Sequence, residues 1–436
     1  MVLTTTRSRR WLTTLAVIVG GLGAMYVLQP MTKPVLAMFP LAGLAGAATI
    51  RKYPAKAAAA LPFVSIAGDG LLIHLHLQTS IRITTLMLVI LLGSVLAGKT
   101  TMDPQITVLA GWIAALLVIN YVIIALPTGR QIPYLLLAII LEGFVLSAIV
   151  ASLTPNPTHV LIAVGCSGLW VAYFSYFPEY YGGGRPVALG LDPNYMGAIL
   201  AAGGIAFLTL ARIRRNWFIA LLAVPTVFGM IQVQSRSAVF AAAVGVVAVI
   251  SLSSNRRNGL LFLFGGLTIV AAAHLAEFSP GYGPFTSRRN DTNESNNVRN
   301  EIRDANIKAL KDQPLSGVGL GVGEGLTADA LEASGSAVAH NEYLRFGSES
   351  GVPALLGLLT LVGIPALIGI FGRDRTGPAA YMWPPISTIL VSMLFLNILD
   401  NAQMAALTMT MAGTSWSGIS LQFTRFRHHR RSPVRA

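Results

Sequence analysis

Apolar runs of about 20 residues recur along this chain, and a helix of that length spans the hydrocarbon of a bilayer. They fall at 11–29, 34–50, 57–74, 82–98, 105–126, 132–153, 158–177, 195–211, 217–233, 237–253, 259–276, 352–372, 380–398 and 403–421. Inside hydrocarbon the backbone must satisfy its own hydrogen bonds, which leaves helices or closed barrels. A barrel would be written in short alternating segments rather than in continuous apolar runs. The reading is an all-α polytopic membrane protein with about 12–14 transmembrane helices. The range reflects the pair 57–74 and 82–98, interrupted by Asp69, His74, His76 and Arg82, either member of which also reads as re-entrant or interfacial. Only 11% of the 436 residues are charged, against about 25% in a soluble domain.

The net charge of +13 raises nucleic acid as a partner, but the placement of the basic residues argues against it. Most cluster at 7–10, 51–56, 99, 212–215, 256–257, 373–375 and 425–435, in short connections and termini. With a cytoplasmic N-terminus all of these fall on one side, as the positive-inside rule expects. Residues 11–29 after the basic start read as a retained first span rather than a cleaved signal, and both termini as cytoplasmic. The single cysteine, Cys166, excludes an intrachain disulfide and a cysteine-based metal site.

This topology leaves 178–194, 234–236 and 277–351 outside, in the cell (cytoplasmic or inner) membrane. The organisation is then an N-terminal bundle (1–276), a large extracytoplasmic loop (277–351), C-terminal helices (352–421) and a basic cytoplasmic tail (422–436). From Glu277 to Asn341 the loop has six Arg/Lys against nine Asp/Glu, so it is no general polyanion surface. Residues 283–297 are polar, with few apolar side chains, and are expected to be mobile. Val298, Ile302, Ala305 and Ala309 recur at helical spacing and predict an amphipathic helix over about 298–312. Pro314 ends it, and Gly317-Val318-Gly319-Leu320-Gly321 follows as a turn able to approach another segment closely. It lacks the Lys-Ser/Thr ending of a phosphate-binding P-loop. A second short helix is expected over 326–333.

Several polar residues are candidates for chemistry. Arg236, in Gln234-Ser235-Arg236-Ser237, lies between two apolar spans. It reads either as an arginine snorkelling to headgroups or as a clamp for phosphate oxygens. Arg185 follows three glycines and carries the same two readings. Asp192-Pro193-Asn194 has the form of a helix cap. Arg299 and Arg303, four residues apart, share a helix face, as a pair aimed at one site or as part of a salt-bridged surface with Glu301 and Asp304. His340 is a candidate general base or hydrogen-bond donor, because an unperturbed imidazole titrates at about 6.5. No HExxH or clustered His/Cys set occurs, so no metal and no cofactor is expected.

Taken together these residues resemble the O-antigen ligase and O-antigen polymerase superfamily of bacterial envelope glycosyltransferases. Four patterns carry the likeness, over residues 178–372. Ser235-Arg236-Ser237 opens a span, and Arg299 begins a helix running into Pro314-Leu315-Ser316-Gly317-Val318-Gly319-Leu320-Gly321. His340-Asn341-x-x-Leu344 leads to Glu349-x-Gly351, and Gly190-Leu191-Asp192-Pro193-Asn194 precedes another span. Leu189 and Gly190 leave the Arg185 region looser than a strict motif.

The resemblance implies a GT-C-like membrane architecture and transfer of a glycan from an undecaprenyl or polyprenyl-diphosphate carrier to an acceptor hydroxyl, by metal-independent inverting displacement. His340, Arg299 and Arg236 would be catalytic. Arg236, Arg299, Arg303, Arg185, Asn341 and Tyr343 would bind the diphosphate or glycan. The implied partners are the carrier-linked donor, a glycan, glycolipid or wall-polymer acceptor, and the lipid bilayer. Ligase and polymerase remain open. A transporter or flippase of an envelope glycolipid is the reading from another class; Glu142, within a span, is the residue that favours it, whereas the other polar residues gather at one face.

Overall fold

The computed structural model describes residues 48–74, 82–99, 102–128, 134–182, 185–252, 289–321, 341–372 and 377–431, with backbone alone over 289–300, 420–431 and a few segment ends. In chain order the helices are α1 (Pro54–Ile73), α2 (Ile83–Ala97), α3 (Pro104–Ala125), α4 (Leu136–Leu153) and α5 (Pro157–Tyr176). A hairpin of β1 (Tyr180–Gly182) and β2 (Arg185–Val187) follows. Next come α6 (Pro193–Arg214), α7 (Trp217–Val233) and α8 (Arg236–Ser251). The series closes with α9 (Arg289–Asp312), α10 (Glu342–Phe371), α11 (Pro378–Ser392) and α12 (Ala402–Arg431).

The described residues are thus largely helical. Six helices, α1, α3, α4, α5, α6 and α10, are long and apolar enough to cross a membrane, and α2, α7 and α8 are shorter apolar helices. This is a multi-pass membrane architecture. The spans expected at 11–29 and 259–276, and the short helix at 326–333, lie outside the described residues.

Three of the long helices start in the same way. Asp103, Asn156 and Asp192 each precede a proline at the first helical position, and their side chains accept hydrogen bonds from backbone amides of the first turn. The oxygen satisfies an amide that has no partner within the helix, and proline gives up only a donor the helix would not use. The cap read from Asp192-Pro193-Asn194 is present, with bonds of 2.6 Å from Asn194 N and 3.0 Å from Tyr195 N.

The bundle centres on α6, which packs along α5, α7, α8 and α11, while α12 lies along α4 and α11. On the α5–α6 contact Gly168 faces Gly203, where a Cβ on Gly203 would lie 2.6 Å from the Gly168 Cα. Close packing through small residues is how membrane helices gain van der Waals contact where lipid removes the hydrophobic drive.

Two acidic residues within the spans have defined partners. Glu142 accepts from Arg82 Nη2 at 2.5 Å and from Thr85 Oγ1 at 3.0 Å. Buried Asp69 accepts from the amides of Ile83 and Thr84, the first turn of α2. Asp69 and Arg82, which broke the hydropathy pattern of these two segments, therefore have defined polar partners.

One expectation is corrected. The helix expected over about 298–312 starts earlier, because residues 289–297 are the first turns of α9, which runs unbroken to Asp312, while 283–288 lie outside the described residues. No glycine or proline lies between 289 and 312 to stop the helix. Before the Gly-x-Asp-Pro-Asn loop, Tyr180, Tyr181 and Gly182 pair antiparallel with Val187, Pro186 and Arg185.

Candidate functional site

The glycine turn after α9 is docked on a break in α10. Gly351 sits within α10 at φ 83°, ψ 164°, outside helical geometry. Val318 N donates to Ser348 O at 2.9 Å, Gly319 N to Glu349 O at 3.0 Å, and Val352 N to Pro314 O at 2.8 Å. The turn therefore satisfies carbonyls that the broken helix leaves open. Gly317 and Gly351 both hold positive φ, and a Cβ on either would overlap the other segment's backbone. Glycine is required at both positions. Asn120, buried in α3, closes the junction. Its amide donates to Ser316 O and Glu349 O, and its carbonyl accepts from Leu320 N at 2.8 Å.

Next to the break lies a buried ionic cluster. Arg345 is 1% exposed. Its Nη2 is 2.6 Å from Glu342 Oε1, and its Nη1 pairs with Asp400 and lies 3.7 Å from Glu349 Oε2. Each glutamate also holds backbone: Glu342 Oε2 accepts from Leu399 N at 2.8 Å, and Glu349 Oε2 from Gly321 N at 3.1 Å. Glu342 N donates to Met393 O. A charged group this deep is tolerated only when it is paired and hydrogen-bonded.

The third part of the site surrounds Ser235-Arg236. Arg185 donates Nε to Val233 O at 2.8 Å and Nη2 to Asn194 Oδ1 at 2.9 Å. A guanidinium at the carbonyl end of α7 also complements that helix's dipole. Gln234 turns the chain with φ 50°, buried Ser235 precedes α8, and Arg236 is its first residue. Leu189 and Gly190, which made the motif look loose, form a tight reversal with φ 60° and 69°. Leu189 is held in that unusual geometry by Glu179 on its amide (2.7 Å) and Gln403 on its carbonyl (3.2 Å). Non-glycine residues kept at positive φ cluster at functional sites.

Two bonds join these parts. Tyr195 Oη, in the first turn of α6, donates to Asn397 O at 3.0 Å, and Gln403 reaches Leu189 O. Residues 397–403 thus contact the Arg345 cluster on one side and the Gly-x-Asp-Pro-Asn loop on the other. Asn397 is buried, and neither atom of its side-chain amide has a hydrogen-bond partner among the described residues.

The candidate residues divide as follows. Arg185 begins β2 and Arg236 begins α8, in the adjoining segments just described. Asn341 caps α10, accepting from Leu344 N at 3.0 Å, and Tyr343 Oη donates to Leu390 O at 2.8 Å. Arg303 is exposed and paired with Asp304 at 3.0 Å. Arg299 lies on α9, where only backbone is described, and His340 lies outside the described residues. α9 itself is fixed to α10 by Ser348 Oγ on Asn306 Oδ1, both buried. Among the described residues no group of three or more His, Cys, Asp or Glu is arranged to hold a metal.

The residue that sequence reading passed over is Arg345, together with Asp400 and Asn120. A signal was present: Glu342, Arg345 and Glu349 recur at i, i+3 and i+7 and so share one face of a helix.

A family model described as O-Antigen ligase matches residues 221–359. The matched stretch takes in Arg236, Arg299, the docked glycine turn, His340, Arg345 and the Gly351 break. It leaves out the hairpin, the Gly-x-Asp-Pro-Asn loop and the 397–403 connection, which the structure attaches to it. No curated protein matches the chain.

Proposed function

We propose that this chain is a membrane glycosyltransferase that moves a glycan from a polyprenyl-diphosphate carrier to an acceptor hydroxyl, at the extracytoplasmic end of its bundle. The observation that carries this reading is that residues 397–403 join two parts: the Arg345 cluster, which the glycine turn contacts, and the Gly-x-Asp-Pro-Asn loop beside Arg185. The O-antigen ligase match over 221–359 supports it.

The chemistry follows from the leaving group. As the glycosidic bond breaks, negative charge builds on the carrier diphosphate. Preorganised guanidinium groups stabilise that charge where water is scarce, and they meet phosphate oxygens as a fork. Arg236 and Arg299 take this role, with Arg303 and Arg185 as supporting candidates. The bonds of Arg185 to Val233 O and Asn194 suit it to holding the Arg236 segment in place. His340 accepts the proton of the attacking hydroxyl, which arrives on the face of the sugar opposite the diphosphate. Asn341 and Tyr343 shape the acceptor side. The apolar helices below admit the carrier's lipid chain.

The test is accumulation of carrier-linked glycan in cells whose only copy is His340→Ala or Arg299→Ala. Accumulation with loss of product supports the reading; normal product from both variants overturns it. Retained activity after chelation supports the metal-free displacement, and loss reversed by a divalent ion contradicts it. Product length separates the two subclasses: a polymerase extends carrier-linked chains, whereas a ligase moves one finished chain to a different acceptor.

A further inference from the structure

Three distant segments are held through one side chain. Arg345 pairs with Glu342 and Glu349 on its own helix and with Asp400 beyond α11. Glu349 in turn holds Gly321 N at the end of the glycine turn, and Glu342 holds Leu399 N. The glycine turn, the first two turns of α10 and residues 397–400 therefore share one connection. It extends through Tyr195 and Gln403 to the Gly-x-Asp-Pro-Asn loop.

Stability alone is a poor explanation for an arginine at this depth. Buried ionic clusters are often no more stabilising than apolar residues of the same volume. What the planar, always-charged guanidinium adds is reach: Nη2 donates to Glu342, while Nη1 lies within ion-pair distance of Asp400 and Glu349. An ammonium at the same place is a single point of charge.

We propose that Arg345 is a positioning residue for transfer: without touching substrate, it sets the spacing between the glycine turn and the 397–403 connection. This rests on the transferase reading above. On one side of that spacing is the glycine motif, the other side contacts the Gly-x-Asp-Pro-Asn loop, and Arg345 is too buried to meet substrate directly.

The experiment uses the full chain in lipid nanodiscs. One variant is Arg345→Lys; the other is the neutral cluster Arg345→Met with Glu342→Gln, Glu349→Gln and Asp400→Asn. Spin labels go on Leu315→Cys and Phe395→Cys, both exposed positions flanking the cluster, in a Cys166→Ser background. The proposal expects a narrow label-to-label distance distribution in the parent and a broadened or shifted one in both variants. It expects kcat for a polyprenyl-diphosphate-linked glycan to fall roughly 10- to 100-fold, as misplacement by about 1 Å does. KM for that donor should stay within about twofold, because ground-state binding is not removed. The parent distance in both variants overturns the proposal, and so does parental kcat despite a changed distance. Should the neutral cluster fail to fold, Arg345→Lys decides by the same two readouts. A parent without transfer activity would sink the transferase reading and the proposed role with it, while the distances would still report whether Arg345 ties the segments.

Discussion

Asn120 donates its side-chain amide to the backbone carbonyl of Glu349, 3.1 Å away and 229 residues later in the chain. The same side chain accepts from Leu320 N, so a single amide joins α3, the glycine turn and the break in α10. Asn120→Ala removes three bonds at a buried junction and leaves the Leu320 amide without this partner. A buried donor left unsatisfied costs about 1–3 kcal/mol. The expected result is a clear drop in melting temperature in nanodiscs, larger for Asn120→Asp, whose carboxylate would face two carbonyls. Parental melting in both variants would show that the junction is not held this way.

Gly351→Ala is expected to be worse. The left-handed backbone alone costs about 1–3 kcal/mol for a residue with a Cβ, and here the Cβ would also overlap the Leu315 carbonyl. Gly317→Ala meets Glu349 in the same way. Each variant should expose the 314–321 stretch to protease in membranes where the parent is protected. Equal protection would contradict the docking.

The legibility of the sequence differed sharply from one part to another. Hydropathy found the helices because hydrocarbon leaves the backbone so few choices, and Asp192 announced its cap through local hydrogen-bonding preference. It placed the start of the helix before the last pair of spans near 352, whereas α10 begins at Glu342. The missing ten residues include Glu342, Arg345 and Glu349, which a hydropathy window counts as polar although they are buried, with Arg345 paired to both glutamates and to Asp400. The glycine turn was legible as a turn, but its partner, a helix break 30 residues on, follows only from tertiary contact. Asn120 gave no signal at all: one amide in an apolar span looks the same whether it faces lipid or holds a junction.

Arg82 and Glu142 supply a double-mutant test. Removing one partner of a shielded pair strands the other charge, at about 3–5 kcal/mol for fully buried pairs and less here, where both are partly exposed. Glu142→Leu and Arg82→Met should each lower stability, and the double variant should lose less than the sum of the two. Transfer should persist in the double variant, because neither residue serves the proposed reaction. Loss of transfer with intact folding would instead give this pair a part in moving substrate or protons, as the transporter reading requires.

The most direct measurement uses purified protein in liposomes with a defined polyprenyl-diphosphate-linked oligosaccharide and an acceptor glycan, reading release of free polyprenyl diphosphate together with elongated acceptor. The account predicts that the parent yields both products in equal amounts. His340→Ala and Arg236→Ala should each lower the rate about 100-fold or more, on the scale of losing a general base or an anion-stabilising group. Parental rates in both variants, or release of the carrier without any elongated acceptor, would contradict it.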